Sequence, residues 1–122
     1  MKTADVTKSD IATLVAAYRT AAVEQGAATE SGDYRKANRH HDVIAVVYRE
    51  LRRRGRDAQC QLLPLLDDMD VHVRAWAAAH ALEFAPERGE SVLRRLAARA
   101  GAVGLNAQMT LTEWSKGALT FP

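Results

Sequence analysis

Residues Leu62 to Leu82, LLPLLDDMDVHVRAWAAAHAL, hold two apolar segments separated by an acidic turn. The first is leucine-rich and carries Pro64, which removes a backbone donor and kinks or ends a helix. Asp67, Asp68 and Asp70 follow, and Asp70 stands where a side-chain oxygen accepts the free N–H groups of a new helix. The second segment is mostly Ala with Val, Leu and Trp, a composition that favours helix. Helix, capped turn and helix in so short a stretch make a helical hairpin. Its first helix is expected over roughly Ala58 to Leu66 and its second from the Asp70 cap to near Phe84.

The same pattern extends in both directions. Upstream, Thr7 or Ser9 is placed to cap a first helix, with Asp10 in its opening turn and Ile11, Leu14, Val15, Tyr18, Ala21 and Ala22 on one face. GAATESG, from Gly26 to Gly32, reads as a frayed end and a turn. Ser31 or Asp33 then caps a long second helix to about Arg54, where Gly55 stops it. Its apolar stripe is Tyr34, Ala37, His41, Ile44, Tyr48 and Leu51, widened by Val43 and Val47. Downstream, Pro86 opens a fifth helix with Val92, Leu93, Leu96, Ala97 and Ala100 inward, ended by Gly101. A sixth, from about Val103 to Lys116, buries Val103, Ala107, Leu111 and Trp114. Leu63 and Leu66 recur as Val92 and Leu96, and Ala78 and Leu82 as Ala107 and Leu111, a faint internal repeat over the last two hairpins.

Bulk properties agree with an all-α chain. Hydrophobic residues reach 48% but aromatics only 6%, so the apolar side chains are small and helices approach closely. No strand-like runs of β-branched and aromatic residues occur. A chain of 122 residues is expected to form one domain, residues 1–122, with a core that needs no metal or disulfide. Cys60 is the single cysteine, which excludes an intrachain disulfide and implies no oxidising compartment. MKTADVTKSD lacks the apolar run of a secretory leader, and no stretch approaches the ~20 apolar residues of a membrane span. A cytoplasmic protein with no membrane partner is expected.

Leu62 to Leu82 resembles a HEAT repeat, in its leucine-rich first helix with a late Pro, its acidic turn, Val73-Arg74, and its Ala-Ala-x-x-Ala-Leu run. Val73 to Trp114, with ALEFAPE and QMTLTEW, further resembles a family of small bacterial HEAT/armadillo-like helical proteins catalogued only as a domain of unknown function. The resemblance implies about six helices in three stacked antiparallel hairpins, a HEAT-like α-solenoid, and implies no activity or site residues.

The residues themselves offer little chemistry. His40 and His41 are adjacent and point about 100° apart on a helix, while His72 and His80 lie roughly 12 Å apart along the axis. No Cys or carboxylate completes a ligand set at familiar spacing, so no metal is expected, and no cofactor. His41 falls on the apolar stripe and reads as a core residue. Cys60 reads as a small buried side chain. Arg74 reads as a bridge across the acidic turn, because three carboxylates would repel an anionic ligand. No Gly-rich phosphate loop, zinc-protease helix or nucleophile elbow is present, and the chain is not expected to be an enzyme.

Two surfaces remain. Between Arg35 and Arg56 lie eight basic residues against Asp42 and Glu50, an excess of six in a chain whose net charge is +2. Arg35, Arg39, Asp42, Arg49, Arg53 and Arg56 share a stripe opposite the apolar face of the second helix, either a solvated surface or a site for an acidic partner. Arg52, Arg53 and Arg54 also suit the negative end of that helix's dipole. On the fourth helix His72, Trp76 and His80 fall at i, i+4 and i+8. Trp76 either fills a gap between hairpins or, exposed, anchors a partner. In a hairpin stack the second, fourth and sixth helices line one concave face. The expected function is therefore non-catalytic binding of another protein, of which a bacterial inhibitor or immunity protein is one concrete version. The alternative is a nucleic-acid or other polyanion binder using the arginines, although no aromatic stacking platform accompanies them.

Overall fold

The computed structural model describes residues 3–122. Met1 and Lys2, which open the stretch read above as lacking a leader, lie outside the described residues. The chain is all-α, with seven α-helices, one 3₁₀ turn and no strand among the described residues. It divides into two compact units, one running to Leu62 and including Pro122, the other Leu63–Phe121.

The first unit holds α1 (Thr3–Lys8), α2 (Ile11–Ser31), α3 (Tyr34–Arg54) and α4 (Arg56–Cys60). The cap of α2 is Asp10, not Thr7 or Ser9: its carboxylate accepts from the Thr13 N–H at 2.8 Å. Ser9 instead closes α1, its hydroxyl donating to the Asp5 carbonyl. α2 also runs through GAATESG to Ser31, past the expected break at Gly26. Gly costs a helix interior about 1 kcal/mol relative to Ala. Tertiary packing outweighs that cost, since Gly26 and Ala28 are both buried on the face that meets α3. The turn that follows satisfies the last carbonyls of α2. The N–H of Gly32, at φ 78°, reaches the Thr29 carbonyl and that of Asp33 the Ala28 carbonyl, a paired closure that needs a residue at home in the left-handed region. Asp33 then caps α3 through the Lys36 N–H at 3.1 Å.

Two residues thus reverse the chain and fold α2 and α3 into a hairpin. Leu14, Tyr18, Ala21 and Ala22 of α2 and Ala37, Ile44, Val47, Tyr48 and Leu51 of α3 make its core, each at most 5% exposed. The expected stripe is wrong at its edge. Tyr34 is 73% exposed and the His41 side chain 51% exposed. At about 100° per residue both lie roughly 60–80° from the centre of the buried face, where a 3-4-3 spacing still counts them as apolar positions.

The expected third helix does not form as one element. α4 ends at Cys60, and a 3₁₀ turn covers Leu63–Asp67. An α-helix crossing this point would require Pro64 to donate to the Cys60 carbonyl, and proline has no N–H.

The second unit holds that 3₁₀ turn and α5 (Val71–Phe84), α6 (Pro86–Ala97) and α7 (Ala102–Ser115). Asp70 caps α5, accepting from the N–H groups of His72 at 2.8 Å and Val73 at 3.1 Å. Arg74 does brace the turn, by donating to the backbone carbonyls of Asp68 at 2.7 Å and Met69 at 3.2 Å. α6 lies very close to α5 at Gly89, where a methyl group would sit 2.6 Å from the Ala78 carbonyl oxygen and 3.0 Å from the Leu82 nitrogen. α6 ends before Ala100, which is exposed rather than inward. On α7 only Gly104 and Ala107 are buried, with Val103, Leu111 and Trp114 half-buried beside them.

Candidate interaction surfaces

The arginine stripe exists as a surface of α3. Arg35, Arg39 and Arg49 are exposed, and none makes a hydrogen bond or ion pair with the described residues. Successive turns place them within about 40° of one line opposite the buried face. Asp42 interrupts that line with a carboxylate 81% exposed, its nearest cation the His41 ring at 3.8 Å.

Arg53 belongs to the stripe but is held at its base. Its Nε and Nη2 donate to both oxygens of Glu50, at 2.9 and 2.7 Å, while its side chain stays 65% exposed. Arg54 donates through Nε to Glu50 Oε2 at 2.7 Å and through Nη2 to the carbonyls of Val6 at 3.1 Å and Thr7 at 3.4 Å. One carboxylate on α3 therefore anchors two guanidinium groups, and the second of them ties down the C-terminal end of α1. Glu50 is 6% exposed, and the paired donors outweigh its burial. The hydrogen bonds from Arg53 act first, with those from Arg54 and both positive charges adding to them, and the carboxyl falls from its ordinary 4.5 to about 2. Arg52 does not serve the stripe: it lies over the Tyr48 ring at 5.7 Å and donates to the Pro122 carbonyl. Buried Tyr48 in turn accepts a hydrogen bond from Gln59 of α4 at 3.1 Å.

The line on α5 is less of a surface than expected. His72 and Trp76 are half-buried, but His80 is 3% exposed and leaves the candidate set. Positions i, i+4 and i+8 drift about 40° per step round a helix, so a line that starts near solvent at His72 ends inside at His80. The Trp76 and His80 rings meet with centroids 5.9 Å apart at 38°. Trp76 thus rests on a buried neighbour with one edge outside.

Two surfaces escaped the sequence reading. Arg88, Arg95 and Arg99 on and just after α6 are exposed and make no hydrogen bond or ion pair with the described residues, while Arg94 pairs with Glu90 at 3.3 Å. On α7, Leu105 and Met109 are 56% and 57% exposed on the side away from Gly104 and Ala107. The signal for the second was available: Glu113 is the only charged residue between Ala102 and Ser115. Among the described residues no three His, Cys, Asp or Glu side chains gather to hold a metal ion, and no helix is long and apolar enough to cross a membrane. Cys60 is free and half-buried.

These features define an all-α domain of short-turned helices whose distinctive chemistry lies in exposed cations and a few exposed apolar side chains. The chain belongs to the family described as a domain of unknown function (DUF2019), which it matches over residues 12–114. It is similar to the crystal structure of the protein RPA1889 from Rhodopseudomonas palustris CGA009, with 25% identity over 96% of this chain and 98% of that one and a TM-score of 0.89. No curated protein matches the chain.

Proposed function

We propose that this chain is a non-catalytic binding module of the bacterial cytoplasm that engages another protein through the exposed face of α3, with Arg35, Arg39, Arg49 and Arg53 meeting acidic side chains. The observation that supports a folded protein over a polyanion is Asp42. A phosphate backbone is uniformly negative, and a carboxylate 81% exposed amid the arginines would repel it. A protein surface accommodates both signs by placing a cation opposite Asp42 and carboxylates opposite its neighbours. Arg53 contributes a pre-oriented guanidinium, because Glu50 already fixes its Nε and Nη2 and leaves less side-chain entropy to lose on binding. His72 and Trp76 form a separate, smaller patch on α5. An inhibitor or immunity protein that blocks an enzyme or toxin is one form such a module takes.

The test compares the two partner classes directly. A photo-crosslinking residue in place of Asp42 should yield discrete protein adducts in host cells, and these should vanish when Arg39, Arg49 and Arg53 are replaced together by Gln. Binding of a random duplex should be weaker than ~100 µM at physiological salt, as for non-specific contacts. Tight duplex binding with a steep salt dependence that the triple replacement flattens would overturn the proposal in favour of a polyanion ligand.

A further inference from the structure

α7 is apolar on two opposite sides. Gly104 and Ala107 are buried, with Val103, Leu111 and Trp114 half-buried beside them, while Leu105 and Met109 stand more than half exposed on the other side. A helix that is hydrophobic all round is ordinarily covered all round. Large exposed apolar side chains one turn apart on such a helix make a ridge suited to another helix. We propose that this ridge is a homodimer interface, in which a second copy of the chain lays its own α7 antiparallel across Leu105 and Met109.

The choice of a second copy rests on self-complementarity. A two-fold axis through the middle of α7, near Ala107, sets Leu105 of one chain against Met109 of the other and Ala102 against Thr112, so the apolar ridge covers itself. The same axis sets Glu113 against Gly101, within two residues of Arg99. Arg99 and Glu113 are both exposed and make no ion pair with the described residues, so each has a charge to offer the other copy. An arginine side chain spans the ~3 Å of axial offset that two helical residues represent. A parallel pairing would instead bring Glu113 against Glu113 and Lys116 against Lys116. Antiparallel pairing is thus the arrangement in which apolar and charged positions agree. This inference is independent of the α3 reading, since it uses a different helix in the other compact unit.

Sedimentation velocity of the full chain across about 5–500 µM tests it, in the affinity range of small transient contacts. The expected result is a rise from monomer to dimer mass. Leu105→Glu with Met109→Glu should weaken association at least tenfold, with helical circular dichroism unchanged because both side chains face water. Glu113→Arg should weaken it about threefold to tenfold by opposing Arg99. Adding Arg99→Glu should restore it to within about twofold, a rescue that only self-pairing in this register explains. A mass that stays monomeric throughout, association indifferent to the Leu105 and Met109 changes, or a charge reversal that fails to rescue would each overturn the proposal.

Discussion

Replacing Gly89 by Ala should destabilise the chain, although helix propensity alone predicts the opposite. Gly89 lies inside α6 and is not among the glycines at positive φ, so Ala there would gain about 1 kcal/mol from propensity. Its new methyl group would sit 2.6 Å from the Ala78 carbonyl oxygen and 3.0 Å from the Leu82 nitrogen, both on the α5 backbone. Contact is comfortable near ~3.5 Å, so the two helices must separate by roughly 0.9 Å at that point. A gap of that size forfeits a quarter to a half of the dispersion energy of the contacts it opens. The side chains nearby are tightly packed: Ala78, Leu82, Val92 and Leu93 are all at most 5% exposed. Overpacking of this kind costs about 1–3 kcal/mol, which leaves a net loss near 0.5–2 kcal/mol after the propensity gain. For a chain of this length that is a fall of about 2–8 °C in Tm. Thermal and urea unfolding followed by circular dichroism measures it, with exposed Ser91→Ala on the same helix as a control that should gain a few tenths of a kcal/mol. A Gly89→Ala protein more stable than the parent by the propensity increment would show that α5 and α6 do not touch there.

Other changes probe other parts of the argument. Glu50→Gln should cost about 1–2 kcal/mol at neutral pH, a figure reduced for screening because the Arg53 side chain is 65% exposed. Because the folded-state carboxyl is lowered from 4.5 to about 2, its stabilisation is full above pH 4.5 and is lost as pH falls towards 2. Urea midpoints measured from pH 6 to pH 2 should therefore fall more steeply for the parent than for Glu50→Gln, and parallel curves would contradict the ion cluster. Leu82→Ala, at a site 4% exposed, should lose about 2–5 kcal/mol in equilibrium unfolding, and a loss under about 0.5 would mean the phase of α5 is wrong. Asp70→Ala removes the acceptor for two N–H groups and should cost about 1 kcal/mol, with faster amide exchange confined to the first turn of α5.

Local chemistry made much of this fold legible. Asp33 and Asp70 cap the helices they precede, Pro86 opens α6, and the reversal at Gly32 follows from turn residues between periodic segments. What escaped depends on distant neighbours or on small angular errors that accumulate. The sequence around Gly26 looks like a break, and only burial against α3 carries the helix through it. His41 and His80 were both placed by counting threes and fours, and both sit on the wrong side of a boundary that 3.6 residues per turn moves steadily round the helix. Of the proposed contact residues, Arg35, Arg39, Arg49 and Arg53 reach solvent as their positions on α3 require. The grip of Arg54 on Val6, 48 residues away, has no sequence signature at all. The outward ridge of α7 did have one, a helix nearly without charge, but a pattern search aimed at a single buried face passes over the second.

Within each unit the helices pack on partners one or two places along the chain: α2 on α3, α3 on α4, α5 on α6, α6 on α7. Such neighbour pairing has a kinetic meaning. Short connections close with little entropy loss, so native contacts form early, and chains built this way fold on microsecond to millisecond scales. Synthesis is far slower, at about 5–20 residues per second. The α2/α3 hairpin therefore has time to close and bury Tyr18 and Tyr48 while Trp114 is still seconds from being made.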